Sequence, residues 1–343
     1  MRYIKIYTIL AFLLSGLISC KREKTDFIGP AYISAPEGFA VSNFTASPGS
    51  VNFATGNVMF NATFTHAVTW TLTITGKTSG AVRIIQGTSD KLENVKWTGT
   101  HDGVAFFRRN EVAVGVLSFF GTNLTAESNE VTLTGLQDFT TCGFFPRFGD
   151  FESNIRANPP YWNRFNVTDQ GVSSNAVDFN GKPVPSVQGN SYYYMRGLGN
   201  DRIFVDGIQY IGGMPAGIPE DATKVWFNIY LYGTGDPNAS VNLELQEADG
   251  TGATAGYQGE EDDGFVATVN LNHTGWKLFS FKYSTLLPSQ SAAFGGSGNK
   301  KHEPHNLQHI VVALLKANNP DKPVEVYFDF PIITVGGPFK PCK

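Results

Sequence analysis

The chain has 343 residues, of which 16 % are charged, with 37 glycines, 27 phenylalanines and a formal net charge of −4. Low charge combined with many aromatic residues excludes an intrinsically disordered chain, which needs low hydrophobicity and high net charge. The mild acidity argues against nucleic acid as a partner, which calls for a basic patch.

Arg2 and Lys5 make a short positive start, and an apolar run follows from Ile9 to Leu17. A bilayer span needs roughly 20 apolar residues, so this run has the length of a signal-peptide core instead. It ends in Leu17-Ile18-Ser19-Cys20, with Ile18 where a smaller residue is usual. The stretch resembles the lipobox of bacterial lipoproteins. That resemblance implies removal of residues 1–19 as a lipoprotein signal peptide and acylation of Cys20. Each buried CH₂ is worth about 0.8 kcal/mol, so several acyl chains would hold the protein on a membrane. The alternative is a plain secretory signal with a chance cysteine. Residues 20–30 are charged, lack an apolar face and read as a flexible tether. Their mixed charge lacks the acidic cluster that marks surface export in some Bacteroidetes lipoproteins. The expected place is the outer membrane, lipid-anchored and at the cell surface, although the tether itself does not say which side the chain faces.

Residues 31–136 form the first expected domain. Strands are expected at 51–54, 58–64 and 69–75, the last with Trp70, Leu72 and Ile74 on one face and threonines on the other. Period-two alternation of this kind marks a half-buried strand. Trp70-x-Leu72-x-Ile74, then Trp97-Thr98-Gly99, then the run 112–119 resemble the Ig-like domain of the flagellar hook-capping protein and its relatives. The resemblance implies an Ig-like β-sandwich acting as a spacer or assembly module.

Residues 137–147 contain Pro146, show no alternation and read as a linker. Residues 148–343 form the second, larger domain. Phe148-Gly149-Asp150-Phe151-Glu152 opens it, Tyr161-Trp162 follows, Gly275-Trp276 precedes an alternating strand, and a terminal strand carries Asp329. This order of landmarks resembles galactose-binding-like jelly rolls, the fold of many carbohydrate-binding modules. The expected fold class is therefore all-β, an Ig-like sandwich followed by a β-jelly-roll sandwich. With Cys20 acylated, Cys142 and Cys342 are left as a disulfide candidate bracketing the second domain, the alternative being two free thiols.

In the strand 225–232, Val225, Phe227, Ile229 and Leu231 point to the core by parity, while Trp226, Asn228, Tyr230 and Tyr232 point away. In 241–246, Val241, Leu243 and Leu245 point inward and Asn242, Glu244 and Gln246 outward. If these strands pair, aromatic rings and planar hydrogen-bonding groups share one surface, which suits a sugar's flat C–H face and its hydroxyls. The alternative is that a loop or the first domain covers the aromatic face. The jelly-roll resemblance also implies a structural Ca²⁺ held by Glu152 and Asp329, with Asp150 a weaker third ligand. The alternative there is carboxylates capping backbone amides.

The stretch His302-Glu303-Pro304-His305-Asn306-Leu307-Gln308-His309 departs from the zinc-protease spacing, and Pro304 breaks a helix interior, so it reads as a polar loop before a strand at 310–315. No nucleophile elbow, phosphate loop or catalytic cysteine is recognisable. The expected function is non-catalytic capture of poly- or oligosaccharide at the cell surface, with an outer-membrane transporter or glycoside hydrolases as partners. The rivals are an envelope or adhesion protein whose aromatic face meets another protein, and a jelly-roll polysaccharide hydrolase or lyase.

Overall fold

The structure is a computed structural model and describes residues 32–137, 139–146, 149–152, 161–165, 169–198, 203–248, 262–289, 298–317 and 321–341. The expected signal peptide and tether, with Cys20, and also Phe148 and Cys342 lie outside the described residues. Among the described residues the chain is all-β: eighteen strands in three sheets, with no α-helix.

The first sheet holds β1 (Val41–Ser47), β2 (Ser50–Asn52), β3 (Val58–Gly76), β4 (Val82–Trp97), β5 (Val112–Phe119), β6 (Thr125–Glu127) and β7 (Val131–Gly135). The two strands expected at 58–64 and 69–75 are one strand of 19 residues, β3. Its pairing with β4 shifts register between Thr63 and Val68, and Thr65, His66 and Ala67 are exposed there. The side-chain parity survives this irregularity, so Val58, Phe60, Ala62, Phe64, Val68, Trp70, Leu72 and Ile74 all enter one core. The strand's first half pairs with β1 and its second half with β5. Trp97 is buried in the same core and donates its indole N–H to the Thr100 carbonyl at 2.8 Å. Gly99 between them has φ +83°, and a Cβ there would lie 2.6 Å from the Phe53 ring, so the Trp-x-Gly turn needs its glycine on both counts.

The remaining strands are β8 (Trp162–Phe165), β9 (Asp169–Ser173), β10 (Tyr192–Gly197), β11 (Phe204–Tyr210), β12 (Val225–Thr234), β13 (Ala239–Glu247), β14 (Asp263–Asn270), β15 (Thr274–Lys282), β16 (Leu287–Pro288), β17 (Leu307–Lys316) and β18 (Val324–Val335). They make a five-stranded sheet in the order β15-β12-β18-β10-β9 and a six-stranded sheet in the order β16-β14-β13-β17-β11-β8. All pairings are antiparallel, and the chain passes repeatedly from one sheet to the other, which is jelly-roll winding. Val225, Phe227, Ile229 and Leu231 from one sheet meet Val241, Leu243, Leu245, Val312 and Leu314 from the other in the common core. Each such burial stabilises by about 1.5–3 kcal/mol.

Two expectations need correction. Where the jelly-roll resemblance implies an opening strand, Gly149 and Asp150 form a turn and Phe151 has φ +55°. The left-handed backbone lets the Phe151 ring drop into the core, with centroids 5.4–5.6 Å from Trp162, Tyr193 and Phe328. The segment 137–147 is also more than a linker. Phe139–Cys142 makes a short 3-10 turn, and Phe144 exchanges two backbone hydrogen bonds with Ile333 at 2.7 and 2.9 Å.

Candidate functional site

The outward residues of β12 do not form an open surface. Asn228, Tyr230 and Tyr232 are buried, and only Trp226 is part-exposed. Phe106 from the first sheet's loops, Phe139, Val187 and the near-terminal Phe339 pack over Tyr230 and Ile332. The Asn228 amide donates to the Ile332 carbonyl at 3.2 Å and to Thr334 Oγ1 at 2.9 Å, and its oxygen accepts the Phe339 N–H at 2.9 Å. Tyr232 is enclosed by Trp276 and Tyr327, with centroids 5.6 and 5.5 Å away. Trp276 donates its indole N–H to the Pro185 carbonyl at 2.6 Å. The expectation of a glycan platform on these three side chains is therefore corrected. Aromatic rings on an outward face are equally suited to a second buried core, and here segments distant in sequence supply the other half of it. His101 belongs to this junction: it is 4 % exposed, and burial lowers its pKa to about 4, Asp102 opposing that shift and Arg83 adding to it.

Asn242, Glu244 and Gln246 are not on that sheet at all. β12 pairs with β15 and β18, whereas β13 pairs with β14 and β17, so the shared surface expected from the sequence does not exist. The three residues lie instead on the outer face of the six-stranded sheet. Across it, Asn163, Gln209, Val311, Glu244, Val266 and Leu287 stand in one register row, each on its own strand.

The polar members of this face are joined. Gln209 Nε2 donates to Gln246 Oε1 at 2.7 Å, and Gln246 Nε2 donates to Glu244 Oε1 at 3.0 Å. His309 Nδ1 is 3.2 Å from both Gln209 Nε2 and Gln246 Oε1, so either tautomer keeps one of the two bonds. Thr268 Oγ1 donates to Asn242 Oδ1 at 2.7 Å. Gly264 and Ala313 lie beside these groups in register; Asn242, Gln209 and His309 are part-exposed, whereas Glu244 and Gln246 are only 7 % and 1 % exposed. Burial pushes Glu244 up to about 7, although the Gln246 hydrogen bond pulls the other way. Burial also lowers His309. The arrangement is a fixed array of planar donors and acceptors around one carboxyl that titrates near neutrality. Gln209, Thr268 and Asn163 carry no signal of their own in the sequence, and His309 enters there only as the end of the polar stretch 302–309. Alternation in 307–316 was the available signal for His309, and pairing across strands is needed for the rest.

Asp150, Glu152 and Asp329 do gather. Burial, then their mutual repulsion, raises the pKa of Asp329 well above the usual range. Burial likewise raises Glu152 and Asp150. Their oxygens are engaged with backbone: Asp329 accepts N–H groups of Gln188 at 3.2 Å and Phe330 at 2.7 Å, and Glu152 Oε1 accepts those of Asn190 at 2.7 Å and Ser191 at 2.9 Å. Gly189 between these donors has φ +55°, and a Cβ there would lie 2.2 Å from Glu152 Oε1. An all-oxygen donor set suits calcium, and Gln188 Oε1 is buried without a hydrogen-bond partner beside it. Among the described residues, however, no group of three or more His, Cys, Asp or Glu side chains is placed to hold a metal ion. As they stand, the carboxylates are amide caps.

Cys142 is disulfide-bonded. His302 stacks on Phe265 at 4.1 Å between centroids, and its Nε2 lies 3.0 Å from the Leu286 carbonyl oxygen, a packing role.

No family model and no curated protein matches the chain. Solved structures similar to it include a family 11 carbohydrate-binding module from Clostridium thermocellum in complex with a β-1,3-1,4-mixed-linked tetrasaccharide. That match has 14 % identity and a TM-score of 0.37, covering 57 % of this chain and 97 % of that one. A non-crystalline-cellulose-specific module of family 28 matches at 13 % identity and a TM-score of 0.31, covering 54 % and 90 %. A structure described for the promiscuous specificity of carbohydrate-binding modules of the β-sandwich superfamily matches at 11 % identity and a TM-score of 0.33, covering 87 % and 99 %. At such low identity and TM-score the likeness does not bear on what this chain binds.

Proposed function

We propose that the protein is a non-catalytic glycan-binding lipoprotein, anchored in an outer membrane through Cys20 at the cell surface, that captures polysaccharide on the outer face of its six-stranded sheet. The observation that carries this reading is the Gln209–Gln246–Glu244 chain of hydrogen bonds, in which the part-exposed Gln209 is fixed by the buried Gln246 and Glu244. Sugar hydroxyls both donate and accept, and a preorganised row of amides beside a carboxyl meets them without reordering long side chains. The first sandwich would space this face from the membrane, and captured chains would pass to an outer-membrane transporter or to glycoside hydrolases. Calcium is part of the same reading, with Asp150, Glu152 and Asp329 as its ligands once they turn from their backbone partners. The all-oxygen set and the unpartnered Gln188 oxygen support it.

A hydrolase would need a second carboxyl across the scissile bond from the first. Glu244 is the only carboxyl in the described rows of this face, so binding without cleavage is the better reading. The test is affinity electrophoresis of the mature soluble chain across a polysaccharide panel, with Gln209→Ala and Asn242→Ala beside Trp226→Ala. Retardation by one glycan, lost in the first two variants, kept in the third and without release of reducing sugar, supports the reading. Retardation by none, or loss only in Trp226→Ala, rejects this face. Labelling of the wild type but not of Cys20→Ser with an alkyne fatty acid tests the anchor.

A further inference from the structure

A cavity of about 290 Å³ opens at the other sheet's end, between the hairpin at 177–183, the turn after β12 and the segment leading into β18. One wall is the Phe179 ring, 49 % exposed at the tip of its turn. That exposure is fixed by structure. Asp178 Oδ1 accepts the N–H groups of Asn180 and Lys182, both at 2.9 Å, and backbone bonds of 2.9 Å run from Asp178 to Lys182 and from Gly181 to Asp178. The Phe179 N–H itself donates to Glu325 Oε1 at 2.8 Å. From behind, the Arg196 guanidinium lies 5.8 Å from the ring centroid. An aromatic ring is thus presented to solvent on a turn with little freedom to bury it.

The other walls are mixed. Asp236 accepts from Asn238 and, at 3.0 Å, from Lys322, which holds that turn in place. Thr234, Asn180 and the buried Glu325 add polar groups, and Gly235, Pro237 and Pro323 complete the lining. Two carboxyls against one ammonium disfavour an anionic ligand. Hydroxyl, amide, ammonium and carboxyl groups facing an aromatic wall suit a molecule with one flat apolar face and a rim of hydroxyls. The volume, at the low end for a ligand site, limits it to a single ring. We infer that this cavity binds one neutral hexose ring, or the hexose end of a glycan, stacked on Phe179. The site shares no residue with the face of β13 and stands or falls separately from it.

Saturation-transfer NMR on the mature chain tests it, with a panel of neutral hexoses, glucosamine and glucuronate. Each is offered to the wild type, Phe179→Ala, Asn180→Ala and Lys96→Ala. Phe179 is half exposed, so its truncation leaves the thermal midpoint in place, and that midpoint is measured alongside. The expected result is transfer to a neutral hexose with millimolar affinity, about tenfold weaker in Phe179→Ala, weaker in Asn180→Ala and unchanged in Lys96→Ala, whose exposed side chain lies on the first sheet. Transfer to no neutral hexose overturns the inference. So does transfer that survives Phe179→Ala, or transfer to glucosamine or glucuronate alone.

Discussion

Phe106, from a loop of the first sheet, meets Tyr230 of β12 edge-on, with ring centroids 5.7 Å apart, and both are at most 2 % exposed. The outward face of β12 is thus a core shared with the loops of the first sheet, which couples that sheet to the five-stranded one. Phe106→Ala removes a buried ring from between Phe139, Phe330 and Tyr230. It should cost about 3–5 kcal/mol. Calorimetry should show one transition in the wild type and a lowered or divided transition in the variant. An unchanged midpoint would mean that the junction is not coupled to either core.

His101 makes the same junction acid-sensitive. Its folded pKa of about 4 lies below the ordinary value of 6.5, chiefly through burial. A depressed histidine favours the folded state above its unfolded pKa, and that contribution is lost as pH falls from about 6.5 towards 4. At 1.36 kcal/mol per pKa unit this amounts to about 3 kcal/mol. The midpoint should fall between pH 6.5 and 4.5 in the wild type, and less steeply in His101→Gln. Parallel curves for the two proteins would remove His101 as the cause.

How much of this was readable in advance depends on the range of the interaction. Inward parity at Val225, Phe227, Ile229 and Leu231 is local and was read correctly. The fate of Tyr230 was not, because its cover comes from Phe106, Phe139 and Phe339, which no window around β12 contains. A shared surface depends on the two neighbouring strands pairing, but the turn after β12 carries the chain to the other sheet, separating Asn228 from Asn242. The split of β3 has a similar origin: three exposed residues at a register shift look like a turn in sequence, though the strand continues through them. Phe179 gave no pattern at all, since a ring within a turn is informative only once the cavity beside it is seen.

Glu247 should destabilise the fold in base. It is 1 % exposed, accepts the Glu303 N–H at 2.9 Å on both oxygens, and burial pushes it up to about 8. A raised carboxyl contributes full stability below its unfolded pKa and loses it as pH rises towards the folded value. The loss is on the order of 3 kcal/mol by pH 7. Glu247→Gln keeps an acceptor for Glu303 and cannot ionise. Its midpoint should exceed the wild type's at pH 8 and approach it at pH 5. A variant less stable at both would show that the carboxylate form is the one the fold needs.

Glu244 gives the proposed glycan face a pH signature. With its pKa pushed up to about 7 by burial, it passes from carboxylic acid to carboxylate across neutrality. The ionised form accepts a charge-assisted hydrogen bond from a sugar hydroxyl, roughly twice as strong as a neutral one. Retardation by the recognised glycan should therefore strengthen a few-fold from pH 6 to 8, and Glu244→Gln should flatten that rise while Gln246 keeps its donor bond to the new amide oxygen. A rise that persists in Glu244→Gln would move the titrating group elsewhere, with His309, 3.2 Å from Gln246, the next to replace.

Calcium can be tested apart from any glycan. Three carboxyls raised by burial, two of them also by mutual repulsion, are destabilising neighbours unless protonated or joined by a cation. If Asp150, Glu152 and Asp329 take calcium, binding only the folded state, the metal at 100 times its Kd raises stability by about 2.7 kcal/mol. Millimolar Ca²⁺ should then lift the thermal midpoint, EDTA should reverse it, and Glu152→Gln should blunt it. Magnesium should do less, because it demands six near-ideal ligands and surrenders water reluctantly. A midpoint indifferent to Ca²⁺ and EDTA would leave the carboxylates as caps. Glu152→Ala would then still cost stability, because the N–H groups of Asn190 and Ser191 would lose their acceptor.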